Sequence, residues 1–92
     1  MADIRRHVDA VVRRLLEGDG RASREARKAA FDAPAGGLLA KVARSASKIT
    51  DEDVAAAKAT QSEDEIFETV VCTAVGQALR QYEAALAALK EA

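Results

Sequence analysis

Tryptophan is absent from this 92-residue chain, and cysteine, histidine, proline, methionine and tyrosine each occur once. A single cysteine, Cys72, excludes an intramolecular disulfide framework and any cysteine-rich zinc site. Only Phe31, Phe67 and Tyr82 are aromatic, so basic residues are not interleaved with the stacking platforms of single-strand nucleic-acid binders. No apolar run approaches the roughly 20 residues that cross a bilayer. The first twelve residues carry Asp3, Arg5, Arg6 and Asp9 and contain no apolar core of a signal peptide. A soluble cytoplasmic protein with no membrane partner is therefore expected.

What is abundant is alanine, which supplies 22 of the 45 hydrophobic residues. The bulky apolar inventory is thus thin, and a small domain with so little to bury is marginal as a monomer. Pairing of subunits is the common remedy, because it turns exposed apolar surface into core. One domain spanning residues 1–92 is expected. Net charge is −1, but residues 1–48 carry 11 Lys and Arg against 6 Asp and Glu, whereas residues 49–92 carry 3 against 9. Such a split suits halves that complement one another, within or between subunits, better than it suits nucleic acid.

Hydrophobic periodicity is helical throughout, with no alternating strand pattern. A first helix over residues 3–17 carries the stripe Ile4, Val8, Val11, Val12, Leu15 and Leu16, and Gly18-Asp19-Gly20 ends it. Ser23 caps a second helix to residue 31, with Ala26, Ala29, Ala30 and Phe31 inward. Arg24, Arg27 and Lys28 are then outward. The loop 32–37 holds Pro34. A third helix is predicted over residues 38–48, with Leu38, Leu39, Val42, Ala43 and Ala46 inward and Lys41, Arg44 and Lys48 outward. Thr50 with Asp53 forms a capping box for a fourth helix to residue 60. Ser62 with Glu65 forms another for a long fifth helix to residue 92. Along that helix Phe67, Val71, Ala74, Ala78, Tyr82, Ala85 and Leu89 recur at spacings of three and four, a narrow seam suited to close helix contact. Gly76 lies inside it and costs about 1 kcal/mol relative to alanine, so either another backbone approaches there or the helix bends; the small residues clustered at Ala74, Gly76 and Ala78 favour close packing.

Three stretches resemble the carboxymuconolactone decarboxylase/alkylhydroperoxidase (AhpD-like) family. Leu38-Leu39-Ala40-Lys41-Val42-Ala43-Arg44 is similar to that family's LLxyAxk helix. Ile49-Thr50-Asp51-Glu52-Asp53-Val54 is similar to its vTdeDV segment, and Ser62-Glu63-Asp64-Glu65-Ile66-Phe67-Glu68 to its SdeEIfe start of the last helix. The likeness covers residues 38–89. It implies an all-α, AhpD-like fold of about five helices with a long C-terminal helix, assembled as a homo-oligomer. Active members carry Cys-x-x-Cys with a histidine one turn on, upstream of the matching region. Here no cysteine lies upstream, and the residue three beyond Cys72 is Val75. The resemblance therefore implies the scaffold and not the dithiol peroxidase chemistry.

The remaining chemistry is sparse. Cys72 is a candidate one-cysteine nucleophile, with His7 or Glu68 in proton transfer. It sits about ten residues into its helix, too deep for help from the helix dipole, and Glu68 one turn earlier disfavours a thiolate. The acidic clusters Asp51-Glu52-Asp53 and Glu63-Asp64-Glu65 sit at helix starts, where caps and dipole explain them without a metal. No metal or cofactor is expected. Arg6, Arg13, Arg14, Arg24, Arg27 and Lys28 offer a basic face for a protein partner, with nucleic acid as a further alternative. The expected role is a non-enzymatic oligomeric interaction or accessory module. Its interface would use Phe67, Val71, Ala74, Val75, Ala78, Leu79, Tyr82 and Leu86. A one-cysteine thiol redox enzyme is the rival reading.

Overall fold

In a computed structural model describing residues 2–91, the chain is 81% helical and is built from five α-helices. They are α1 (Ala2–Glu17), α2 (Arg24–Asp32), α3 (Gly37–Arg44), α4 (Asp51–Lys58) and α5 (Glu63–Glu91), with a 3-10 turn at Ala46–Lys48 after α3. No strand occurs among the described residues. The caps follow the local chemistry. The Ser23 hydroxyl accepts from the Ala26 N–H at 3.0 Å. Both halves of the Thr50–Asp53 box form, at 3.2 and 2.9 Å, as do both halves of the Ser62–Glu65 box, at 3.2 and 2.9 Å.

Two helix ends fall short of the expected limits. The third helix, expected to run to residue 48, stops at Arg44 because Ser45 takes φ −154°, ψ 59°, outside the helical region. Its N–H still closes on the Lys41 carbonyl at 2.7 Å. The chain then resumes as a 3-10 turn, and Ala46 is exposed rather than inward. α4 ends at Lys58, and residues 59–60 form a turn closed by Gln61 N–H on the Ala57 carbonyl at 3.0 Å.

α5 organises the rest. α2 lies along its first half in the same direction, with Ala22 beside Glu68, Ala30 beside Thr73 and Phe31 beside Gly76 and Arg80. α1 runs the opposite way: Leu15, near its end, meets Arg27 of α2, while Arg5 reaches Glu83 toward the far end of α5 at 3.9 Å. α3 also packs on α5, and Lys41 of α3 bonds Asp53 of α4 at 2.7 Å. Asp53 thereby serves both the cap and the ion pair.

The interior is small. Buried apolar residues are Ala22, Ala30 and Cys72, joined by Arg27, Thr69 and Thr73. Buried polar groups are tolerated where they are bonded. Thr69 Oγ1 donates to the Glu65 carbonyl at 3.0 Å and Thr73 Oγ1 to the Ala30 carbonyl at 3.1 Å. The α1 stripe is only partly used: Val8, Val12, Leu15 and Leu16 are half-buried, while Ile4 and Val11 are 56% and 59% exposed. Of the four residues expected inward on α2, Ala29 is exposed, and Arg27 takes the inward place instead.

Gly76 is where two backbones meet. A Cβ there would collide with the Phe31 carbonyl oxygen and lie 3.0 Å from its carbon. Backbone cannot swing aside as a side-chain tip can. Gly76→Ala should therefore lose about 1–3 kcal/mol to overpacking, outweighing about 1 kcal/mol gained in helix propensity. A lower urea midpoint at unchanged slope checks this. A midpoint at or above that of the parent protein would show that the close approach costs nothing to relieve.

Candidate functional site

Cys72 is fully enclosed between α2 and α5. Burial raises its pKa above the ordinary 9.0; the positive charge of Arg27 works against that shift and the negative charge of Glu68 adds to it. The thiol is thus protonated at neutral pH and shielded from reagents. His7, its proposed proton-transfer companion, is exposed on α1. Arg5, close by in sequence, faces Glu83, about three helical turns along α5 from Cys72. The structure does not bring the two together.

Glu68 has a role that the sequence did not suggest. Its carboxylate accepts the Arg21 N–H at 2.9 Å and the Ala22 N–H at 3.1 Å, across 47 and 46 residues of chain. It holds the loop that leads into α2. These two backbone bonds lower its pKa below the ordinary 4.5, partial desolvation opposes them, and Arg27 and Arg21 add attraction. A Cβ on Gly20 would collide with the Glu68 carboxylate, so a larger residue there would push the latch aside. Glu68 is therefore a latch and not a free base.

Arg27 is a correction to the expected partner surface. It is 5% exposed, wedged beneath the end of α1, where its Nη1 donates to the Leu15 carbonyl at 2.9 Å and its Nε has no hydrogen-bond partner. It lies three and four residues before Ala30 and Phe31, so it shares their face of α2. Lys28 is exposed but pairs with Asp32 at 2.7 Å, and Arg5 pairs with Asp9 at 3.3 Å. Arg6, Arg13, Arg14 and Arg24 remain exposed, so the basic face is smaller than its sequence. Lys41, expected outward, is half-buried against Asp53.

The seam of α5 lies on the side opposite the buried Thr69, Cys72, Thr73 and Gly76, as helical geometry requires for residues half a turn away. Phe67, Tyr82 and Leu89 are 69%, 41% and 71% exposed. Ala74, Ala78 and Ala85 are exposed and Val71 half-buried. Val75, Leu79 and Leu86 flank the seam and are half-buried. A groove of about 280 Å³ between α3 and α4 has Asp53 as its one charged lining residue, already bound to Lys41 and Thr50. Among the described residues no group of three or more His, Cys, Asp and Glu is placed to hold a metal, and no helix is long and apolar enough to cross a membrane.

Comparison with protein-family models, curated proteins and solved structures finds no match to this chain.

Two measurements follow from this geometry. Native Cys72 should alkylate with iodoacetamide far more slowly than the urea-unfolded chain, and rapid labelling of native protein at pH 6 would contradict its enclosure. Because the folded pKa of Glu68 lies below its unfolded one, its stabilising effect is full above about pH 4.5 and is lost as pH falls through the lower folded value. Asp53 acts the same way, lowered first by its bond to Lys41 and then by the Thr50 N–H. Thermal melts between about pH 5 and pH 3 should show a declining Tm, with a shallower decline in Glu68→Gln.

Proposed function

We propose that this chain is a non-enzymatic, AhpD-like helical module that works by self-association, with the α5 seam as its interface. The observation that carries the reading is the seam itself: an apolar face, largely exposed and opposite the buried Thr69, Cys72, Thr73 and Gly76, on the element that holds the fold together. Contiguous apolar surface of this kind marks an interaction site more often than idle exposure. The thinness of the interior supports it, because a partner on α5 would supply burial that the lone chain lacks.

Against the thiol redox reading stand the enclosure of Cys72, its raised pKa and the distance of His7. A peroxidatic thiol needs both thiolate character and access. Nucleic-acid binding through the arginines is weakened by the loss of Arg27 to the interior and of Lys28 to Asp32.

Light scattering at micromolar concentration should give a mass well above the 9.7 kDa of one chain. Ala78→Glu puts a charge at the centre of the seam, where its desolvation in an interface is costly. It should shift the assembly toward monomer while leaving the far-UV spectrum helical, since Ala78 is exposed on α5. A monomer mass for the unaltered protein sinks the proposal. Hydroperoxide turnover that Cys72→Ser abolishes would replace it with the redox reading.

A further inference from the structure

The spacing of the exposed seam is symmetric. Phe67, Val71, Ala74, Ala78, Tyr82, Ala85 and Leu89 follow one another at four, three, four, four, three and four residues. Read from either end, the order of spacings is the same, and Ala78 is its centre. We infer that two copies of this chain pair through α5 in antiparallel register, with the two-fold axis passing beside Ala78. This pairing rests on the proposed self-association and specifies its geometry.

The side chains fit that axis. A two-fold operation about Ala78 sets each Tyr82 over Ala74 of the other copy, each Val71 against Ala85, and Phe67 against Leu89 at the two ends. Bulky residues thus meet small ones through the middle, where the alanines let the helices come close, and apolar residues close both ends. A two-fold interface is self-complementary in this sense. A parallel pair would instead set Tyr82 on Tyr82 and Phe67 on Phe67, separated by empty layers at Ala74, Ala78 and Ala85. Such voids forfeit the contacts that hold an interface. The seam repeats every eleven residues, Phe67 to Ala78 to Leu89, which is 3.67 residues per turn. That period lies close to the 3.6 of a straight helix, so the two seams stay in register with little supercoiling.

Charge points the same way. The first turn of α5 carries Glu63, Asp64 and Glu65, whereas its last turn carries Lys90 and Glu91, which offset one another. Antiparallel pairing moves the acidic first turns of the two copies to opposite ends of the interface, and opposes the two helix dipoles favourably. Parallel pairing would crowd the acidic turns together.

Area supports a partner of this size. The chain exposes 6653 Å², whereas a compact monomer of this mass exposes about 5,100 Å². Its radius of gyration is 14.6 Å, against about 12 Å for a compact domain of this length. The excess, roughly 1,500 Å², is ample for the roughly 800 Å² that each partner contributes to a standard interface.

The test uses the full chain with Cys72 retained, since that thiol is enclosed. Ala78→Cys, Phe67→Cys and Leu89→Cys are prepared separately, checked for helical far-UV spectra, and oxidised gently at micromolar concentration. Positions 67 and 89 lie about 33 Å apart along α5, beyond disulfide reach. Antiparallel pairing predicts that Ala78→Cys forms a covalent dimer, that Phe67→Cys and Leu89→Cys alone do not, and that an equimolar mixture of those two yields a heterodimer linked 67 to 89 by peptide mass. Self-linking of Phe67→Cys and Leu89→Cys would overturn the antiparallel register while leaving self-association standing. An assembly that none of the three variants links would overturn the seam as the interface. A monomeric parent protein would remove the self-association reading as well as this pairing.

Discussion

α2 is held at both ends by α5, and the sign of each contact matches the helix it grips. Glu68 places a carboxylate on the two N–H groups of the loop that enters α2, and Arg80 places a guanidinium on the Phe31 carbonyl at its far end, 2.7 Å away. Anions are favoured at a helix N-terminus and cations at its C-terminus. Between them Thr73 takes the Ala30 carbonyl, another acceptor with no partner within its own helix. These contacts need α2 to run in the direction of α5 and to lie close. Gly20 and Gly76 provide the closeness, each at a point where a Cβ would collide. Everything else is arranged around this pair: α1 closes over Arg27 through the Leu15 carbonyl, and α3 packs along α5 with α4 tied to it by Lys41 and Asp53.

The enclosure of Cys72 is a consequence of that grip. It sits between the Glu68 latch and the Thr73 bond, on the buried face of α5 that α2 packs against. The polar groups beside it serve packing and hydrogen bonding: Glu68 is saturated by backbone donors and Arg27 is spent on α1. Cys72, Glu68 and Arg27 are thus consumed by the fold, and what remains available to a partner is the outer face of α5 with part of the arginine surface.

Local signals were legible in the sequence because their physics is local. Ser23, Thr50 and Ser62 form caps with residues three positions on, and a capping box needs nothing from the rest of the chain. The apolar seam from Phe67 to Leu89 was legible from helical periodicity, and the close approach at Gly76 from the cost of a glycine inside a helix among small neighbours. The fates of Glu68 and Arg27 were not, because their partners lie across loops: Arg21 and Ala22 are more than 45 residues from Glu68, and Leu15 lies in another helix. Arg27 looked like one more member of a basic face. Only its offset from Ala30 and Phe31 hinted that it belongs to the inward side. The break at Ser45 was also hidden, as Leu38, Leu39, Val42, Ala43 and Ala46 keep a helical spacing that the backbone itself abandons.

The molecule measures 46 × 30 × 16 Å, and its thinnest dimension is less than two helix diameters of about 10–12 Å. It is a raft of helices more than a globule, so most backbone amides lie near water on at least one side. Protection against hydrogen exchange should then form a gradient and not a plateau. It should be deepest where α5 crosses α2 between Thr69 and Gly76, and it should fall along α1 toward Ile4 and along α5 toward Leu89, whose amides can open without disturbing the centre. The weakly protected end of α5 is also one end of the apolar seam. A partner that covers the seam would therefore stiffen the part of the chain that its own interior leaves soft, which couples recognition to the ordering of α5.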